Sequence, residues 1–170
     1  EGVEILEWML QTKRTIDTPL LTDFPEGSTP KEIGKRLGRL FAKGKHNGKT
    51  LSYPETFTWN GALKYAEVAK DNELIQPLKD GFESFFTTDK SFLPGMDHVD
   101  RNMFGSLPLT LYLITKDERY REMGMPYADT QWEVPENASA SAKSWAAKGY
   151  SWQTRLWIDD MYMIPVIQTN

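Results

Sequence analysis

The chain is 170 residues long, 39% hydrophobic and 26% charged, with a mean hydropathy of −0.54, which is enough material for one domain with its own core. Its net charge of −4 lacks the basic excess that a phosphate backbone demands, and no apolar run is long enough to span a bilayer, so nucleic acid and membrane are excluded as partners. With no Cys and only His46 and His98 as histidines, disulfides, thiolate catalysis and Cys- or His-based zinc sites are excluded as well.

Residues 1–28 open with Ile5, Leu6, Met9 and Leu10 at helical spacing and continue into a loop rich in Thr, Pro and Gly. They are expected to form a peripheral segment on a single domain spanning 1–170. Thr29-Pro30-Lys31-Glu32 then reads as a helix start, with Thr as cap, Pro at the first helical position and Glu three residues after the cap. Ile33, Leu37, Leu40 and Phe41 make its expected buried stripe, and Gly44 to Gly48 its end.

The segments Trp59 to Phe86 and Gly105 to Trp132 look like two copies of one unit. They are offset by 46 positions, the interval from Lys70-Asp71 to Lys116-Asp117. Leu63 falls on Leu109, Leu74 on Tyr120, Phe82 on Ala128 and Phe86 on Trp132. Each copy reads as a helix, a tight polar turn and a second helix. Such a unit cannot bury its apolar face alone, so the units must stack or close into a ring. The period is longer than the tetratricopeptide repeat of about 34 residues. Pro77, Pro108 and Pro165 fall within helical segments and should kink them, which suits a curved array. Projected forward, the period starts a third first-helix near Ser151, after a loop from Glu133 to Tyr150. The partner of that helix is absent from the sequence, so the chain is expected to be truncated relative to its fold.

Two stretches place carboxylates beside aromatic and polar residues. In Asp97-His98-Val99-Asp100-Arg101, an N-cap role for Asp100 is the structural reading. In Trp157-Ile158-Asp159-Asp160-Met161, a helical stripe of Ile158, Met161 and Pro165 is expected to bring a carboxylate close to the core. Asp159 is the expected buried member, raised by desolvation and able to give a proton near neutral pH. Asp160 then reads as its solvated neighbour or as a group that orients it. Core packing accounts for most of the six Trp, seven Tyr and eight Phe. The remainder offer faces for sugar rings to stack on.

The run Thr154-Arg155-Leu156-Trp157-Ile158-Asp159-Asp160-Met161-Tyr162-Met163, with His98-Val99-Asp100 upstream, resembles the unsaturated glycuronyl and unsaturated rhamnogalacturonyl hydrolases, glycoside hydrolase families 88 and 105. Leu111-Tyr112, Thr115 to Tyr120, Tyr53-Pro54-Glu55 and Trp59-Asn60-Gly61 have the same look, and the resemblance runs from about Lys31 to the end. It implies an all-α fold of αα-hairpins in an (α/α)6 barrel, of which about half the ring is expected here.

The resemblance also implies a substrate oligosaccharide bearing a 4,5-unsaturated uronic acid, and no metal or organic cofactor. Asp159 would be general acid and base, and Asp100 the second active-site aspartate, with Asp97 as fallback. Arg155 or Arg101 would meet the substrate carboxylate. Trp59, Trp152, Trp157 and Tyr53 are candidates to stack on the sugar, and His98 is a candidate polar pocket residue. A bacterial protein of periplasm or cytoplasm is expected, with self-association through the edge of the incomplete ring. The alternative is a non-catalytic helical-repeat module, or degenerate half-barrel, that binds carbohydrate or protein.

Overall fold

Every regular element is a helix in the computed structural model, which describes residues 23–44 and 49–169. The amphipathic stretch around Ile5 to Leu10 and His46 lie outside the described residues. The chain divides into two compact units, Glu1–Ile33 and Gly34–Asn170. Among the described residues no helix is long and apolar enough to cross a membrane.

Helix α1 (Pro30–Lys43) starts as its sequence dictates. Glu32 accepts the Thr29 N–H at 3.1 Å, and the Glu32 N–H donates to Thr29 Oγ1 at 3.2 Å. Its expected apolar stripe is split: Ile33 is partly covered and Phe41 packs against Trp59, but the two leucines face outward. Leu37 and Leu40 are 55% and 68% exposed, and Gly38 is the buried residue of the helix. A side chain at Gly38 would collide with Leu74, so the backbone approaches closely along the glycine face and the leucines are turned away.

The two sequence repeats are two helical hairpins. The first joins α2 (Tyr53–Ala69) to α3 (Asn72–Phe82). The second joins α5 (Ser106–Thr115) to α6 (Glu118–Thr130), and α5 is preceded by the short α4 (Val99–Asn102) and a 3-10 turn, Met103–Gly105. The turns share one construction. Lys70 and Lys116 end their helices in the left-handed region, at φ 53° and 60°. Asp71 and Asp117 then cap the next helix by accepting the N–H of Leu74 and Arg119, at 3.1 and 3.0 Å. Leu63 and Leu109, Leu74 and Tyr120, and Phe82 and Ala128 are buried in matching places, whereas Trp132 is exposed where Phe86 is partly covered.

Pro108 explains the 3-10 turn before α5. It has no N–H for the Phe104 carbonyl, and its ring crowds that oxygen, so the ladder tightens just ahead of it. Pro77 lies inside α3 and Pro126 inside α6.

Buried aromatics join the hairpins. Phe82 stacks on Phe104 at 5.8 Å and meets Tyr120 at 5.8 Å, and Phe104 meets Tyr127 at 5.2 Å. Each such side chain contributes about 1.5–3 kcal/mol by leaving water. Between α2 and α5 the Thr110 hydroxyl donates to Asn60 Oδ1 at 2.9 Å, a buried pair that fixes how those helices lie together. Tyr127 donates its phenol to the Pro94 carbonyl at 2.7 Å, and burial pushes that phenol up to about 12.

Two expectations for the last third are corrected. The span expected as a loop from Glu133 to Tyr150 contains a helix, α7 (Ala140–Ala147), capped by the Ser139 hydroxyl. The helix expected from Ser151 does not form there: residues 151–159 hold no regular helix, and two single turns follow, α8 (Asp160–Met163) and α9 (Pro165–Gln168).

Candidate active site

Side-chain bonds to the end of the second hairpin and to the stretch before α4 hold the segment from Ser151 to Asp160. The Ser151 hydroxyl donates to the Gln131 carbonyl at 2.7 Å, the Trp152 indole to the Thr130 carbonyl at 2.7 Å, and the Gln153 amide to the Met96 carbonyl at 2.8 Å. These anchors place the segment across the end of α6 and against the approach to α4. Further along, Val99 and Met103 form a small apolar cluster with Met163, which seats α8 against α4.

Within the segment the order of the two carboxylates is the reverse of that expected. Asp160 is buried, 3% exposed, while the Asp159 side chain is 42% exposed. Ile158 and Met161, expected as the apolar stripe, are 83% and 71% exposed. The buried register is Asp160, Met163 and Ile167, so the helical phase is shifted from the one read in the sequence.

Asp160 accounts for that shift. Its Oδ2 accepts the N–H of Arg155 at 2.6 Å and of Trp157 at 3.2 Å, and the Thr154 hydroxyl at 3.3 Å. Leu156, between the two amide donors, takes φ 58°, which turns both N–H groups toward one oxygen. The donors that a helix would have used are thereby captured by a side chain, and the helix starts only at Asp160. Burial works against the Asp160 charge, but the bonds from the Arg155 side chain and the two backbone amides outweigh it and hold its carboxyl below the usual aspartate range.

Arg155 binds three aspartates. Its Nε and Nη2 reach Asp160 Oδ1 at 3.0 and 2.7 Å. The same Nη2 lies 3.2 Å from Asp100 Oδ1 and 3.3 Å from Asp159 Oδ2. Asp100 is not the helix cap: His98 is, accepting the Asp100 N–H on Nδ1 at 3.2 Å. Asp100 is the second residue of α4, and its side chain is free to face Arg155, with His98 Nδ1 at 3.7 Å from its other oxygen. Burial opposes the Arg155 charge, and Asp160, Asp100 and Asp159 together keep the guanidinium above its ordinary value.

The remaining expected residues separate into two groups. Tyr53, His98, Asp100 and Arg101 line one open depression of about 360 Å³ with Leu51 and Ser52. Trp157 is exposed and lies under the Arg155 guanidinium, 4.3 Å from ring centroid to carbon. It also borders a second, largely apolar depression of about 520 Å³ with Trp132, Tyr150, Leu156 and Met161. Two of the candidate tryptophans lie away from both depressions. Trp59 is 5% exposed and sits among Phe41, Phe82 and Phe85. Trp152 is partly buried and ties the segment to α6 by its indole N–H. Asp97 pairs with Arg101 at 3.0 Å on the surface.

Among the described residues no group of three or more His, Asp or Glu could hold a metal ion. The three clustered aspartates converge on a guanidinium instead. The arrangement offers two partly exposed carboxylates, Asp100 in α4 and Asp159 just ahead of α8, beside one arginine, with Asp100 at the polar depression, which is suited to proton transfer on a bound ligand.

A family model described as Glycosyl Hydrolase Family 88 matches residues 33–169. The chain belongs to glycoside hydrolase family 88. Neither the curated proteins nor the solved structures returned a match to it. Membership bears out the resemblance to the unsaturated glycuronyl hydrolases and the all-α expectation, and the helical hairpins agree with the α/α barrel of family 88. At the level of the family the chain is a glycosidase domain and its substrate an oligosaccharide. The family 88 match covers both hairpins and the whole Asp100–Arg155–Asp159–Asp160 cluster.

Proposed function

We propose that this domain removes a 4,5-unsaturated uronic acid from the end of an oligosaccharide left by a polysaccharide lyase, by hydrating the double bond. The observation that supports this most directly is the convergence of Asp100 and Asp159, from separate elements, on Arg155 Nη2. Ordinary glycosidases place two carboxylates about the anomeric carbon. Here the reacting group is a vinyl ether, C4=C5 with the ring oxygen on C5. Asp159 gives a proton to C4, and water adds to C5 with Asp159 as the base that takes up its proton. The resulting hemiketal opens, and the hemiacetal exposed at C1 releases the sugar.

Asp159 is assigned the proton because it is the more exposed of the two carboxylates held beside Asp160 by Arg155 and has access to solvent. Asp100 borders the depression with Tyr53 and His98, where the uronyl ring would sit, Tyr53 offering a face and His98 a polar edge. Arg101 borders the same depression and is placed to meet the substrate carboxylate. The test is to add an unsaturated uronyl disaccharide and follow the ultraviolet absorbance of its conjugated double bond. Wild-type protein consumes it, and Asp159→Asn and Asp100→Asn lose that activity by at least about 10²-fold, the low end for general acid–base groups. An Asp159→Asn protein as active as wild type removes Asp159 from the role.

A further inference from the structure

Resting on that reading, we propose that Arg155 and Asp160 are a positioning pair: Asp160 locks the Arg155 guanidinium, and Arg155 sets the spacing of Asp100 and Asp159 instead of receiving the substrate carboxylate. A carboxylate bound by arginine seeks two parallel N–H bonds along one edge of the fork. The Nε/Nη2 edge is already occupied by Asp160, at 3.0 and 2.7 Å. The other bidentate edge, Nη1/Nη2, also needs Nη2, which donates to Asp159 and forms an ion pair with Asp100 at 3.2 Å. One face of the guanidinium lies on the Trp157 ring.

Charge points the same way. Three carboxylates surround one guanidinium, so a fourth brought to that atom would meet net negative charge from Asp100 and Asp159 at close range. A single cation held between two carboxylates is, by contrast, what keeps them near each other, since like charges otherwise separate.

Asp160 makes this arrangement rigid. It is buried, both its oxygens are taken by protein donors, and it receives both the backbone N–H and the side chain of Arg155. The arginine is therefore tied at two points to one carboxylate, and that carboxylate is tied to the Trp157 amide as well. A fork held in this way fixes Nη2, and with it the two carboxylates that share Nη2.

The experiment compares Asp160→Asn and Arg155→Lys in the intact protein with an unsaturated uronyl disaccharide. Asp160→Asn keeps the size of the residue and Arg155→Lys keeps the charge, but neither keeps the fork in place. The expected result is a fall in kcat of about 10²-fold, the scale for a misplaced catalytic group, with KM within about threefold. A KM raised tenfold or more at unchanged kcat in Arg155→Lys overturns the proposal and makes Arg155 the substrate's partner.

Arginine side-chain NMR supplies a readout that does not depend on turnover or on the buried variant folding. The Arg155 Nε–H signal, identified by its loss in Arg155→Lys, is expected to move in Asp100→Asn and in Asp159→Asn. It is expected to stay in place when an unreactive saturated uronyl disaccharide is added to wild type. An Arg155 signal indifferent to both aspartate variants, or displaced by that ligand, overturns the proposal. A wild-type protein that leaves the double bond intact while Arg155 responds to both aspartates sinks the functional reading and retains the spanning geometry.

Discussion

Asp160 accepts the backbone N–H of Arg155 at 2.6 Å and takes the same residue's side chain through Nε and Nη2 at 3.0 and 2.7 Å. One carboxylate thus fixes a residue at both its main chain and its guanidinium. Removing one partner of a buried pair leaves the other charge unsatisfied, so Asp160→Ala is expected to cost about 3–5 kcal/mol by chemical denaturation.

The same carboxylate predicts a pH dependence. Its carboxyl titrates lower in the folded protein than in the unfolded chain, so its stabilisation is fully present above the unfolded value of about 3.9. It is lost as pH falls through the lower folded value. The gap in Tm between wild type and Asp160→Asn should be constant near neutral pH and shrink below about pH 4. A gap that widens on acidification would mean that Asp160 is not held ionised by Arg155.

Leu156 carries a left-handed backbone, φ 58°, on a side chain that is half exposed. Leu156→Gly removes the Cβ clash, worth about 1–2 kcal/mol, against the greater freedom of glycine in the unfolded chain, about 0.5–1 kcal/mol. The net expectation is unchanged to modestly raised stability, with the Lys70→Gly variant at φ 53° behaving alike. Denaturant midpoints measure both, and a clear loss in both would contradict the left-handed assignment.

Two glycines should respond in opposite directions to alanine. A Cβ at Gly124 would lie 2.6 Å from Leu109 Cγ and 3.2 Å from the Gly105 carbonyl oxygen, so α5 and α6 would have to separate. Gly124→Ala is expected to lose about 1–3 kcal/mol. A Cβ at Gly61, inside α2, meets nothing within 4 Å, and Gly61→Ala should gain about 0.5–1 kcal/mol.

The aromatic candidates divide by assay. Trp59→Ala should cost about 3–5 kcal/mol, as for a core tryptophan. Tyr53 is exposed at the polar depression. Tyr53→Ala should change stability by no more than about 0.5 kcal/mol and raise KM for the unsaturated disaccharide. A Tyr53 variant with unchanged KM would remove it from the sugar-binding surface.

The hairpins were legible because each turn writes its own chemistry into a few adjacent residues: Lys-Asp followed by a buried Leu74 or Tyr120 marks the αL cap and the next N-cap in both copies. The capping box of α1 was legible for the same local reason. What could not be read locally was how segments face one another. Leu37 and Leu40 fit a buried stripe by period alone, but the closer approach available at Gly38 decided which face packs. Residue type and resemblance single out Arg155, Asp159, Asp100 and His98, and the fold brings these four together. The roles of Asp159 and Asp160 in burial were exchanged, because a helix period was assumed through residues 152–159, where Asp160 binds the amides of Arg155 and Trp157 and breaks it. Two adjacent carboxylates four and five positions after an arginine were the available signal for a side-chain-capped loop.

The central claim is that the double bond, and not the anomeric carbon, is the point of attack. A thioglycoside of the unsaturated uronic acid tests it most directly: sulfur at the glycosidic position blocks acid-assisted departure at the anomeric carbon and leaves the C4=C5 vinyl ether untouched, whereas with an oxygen-linked substrate the sugar freed by anomeric attack would also lose its double bond as its hemiacetal opens to an enol and then a ketone. Hydration predicts that the sulfur-linked and oxygen-linked substrates both lose their conjugated absorbance, and that Asp159→Asn loses both activities. An oxygen-linked substrate consumed while the sulfur-linked one keeps its absorbance would contradict it.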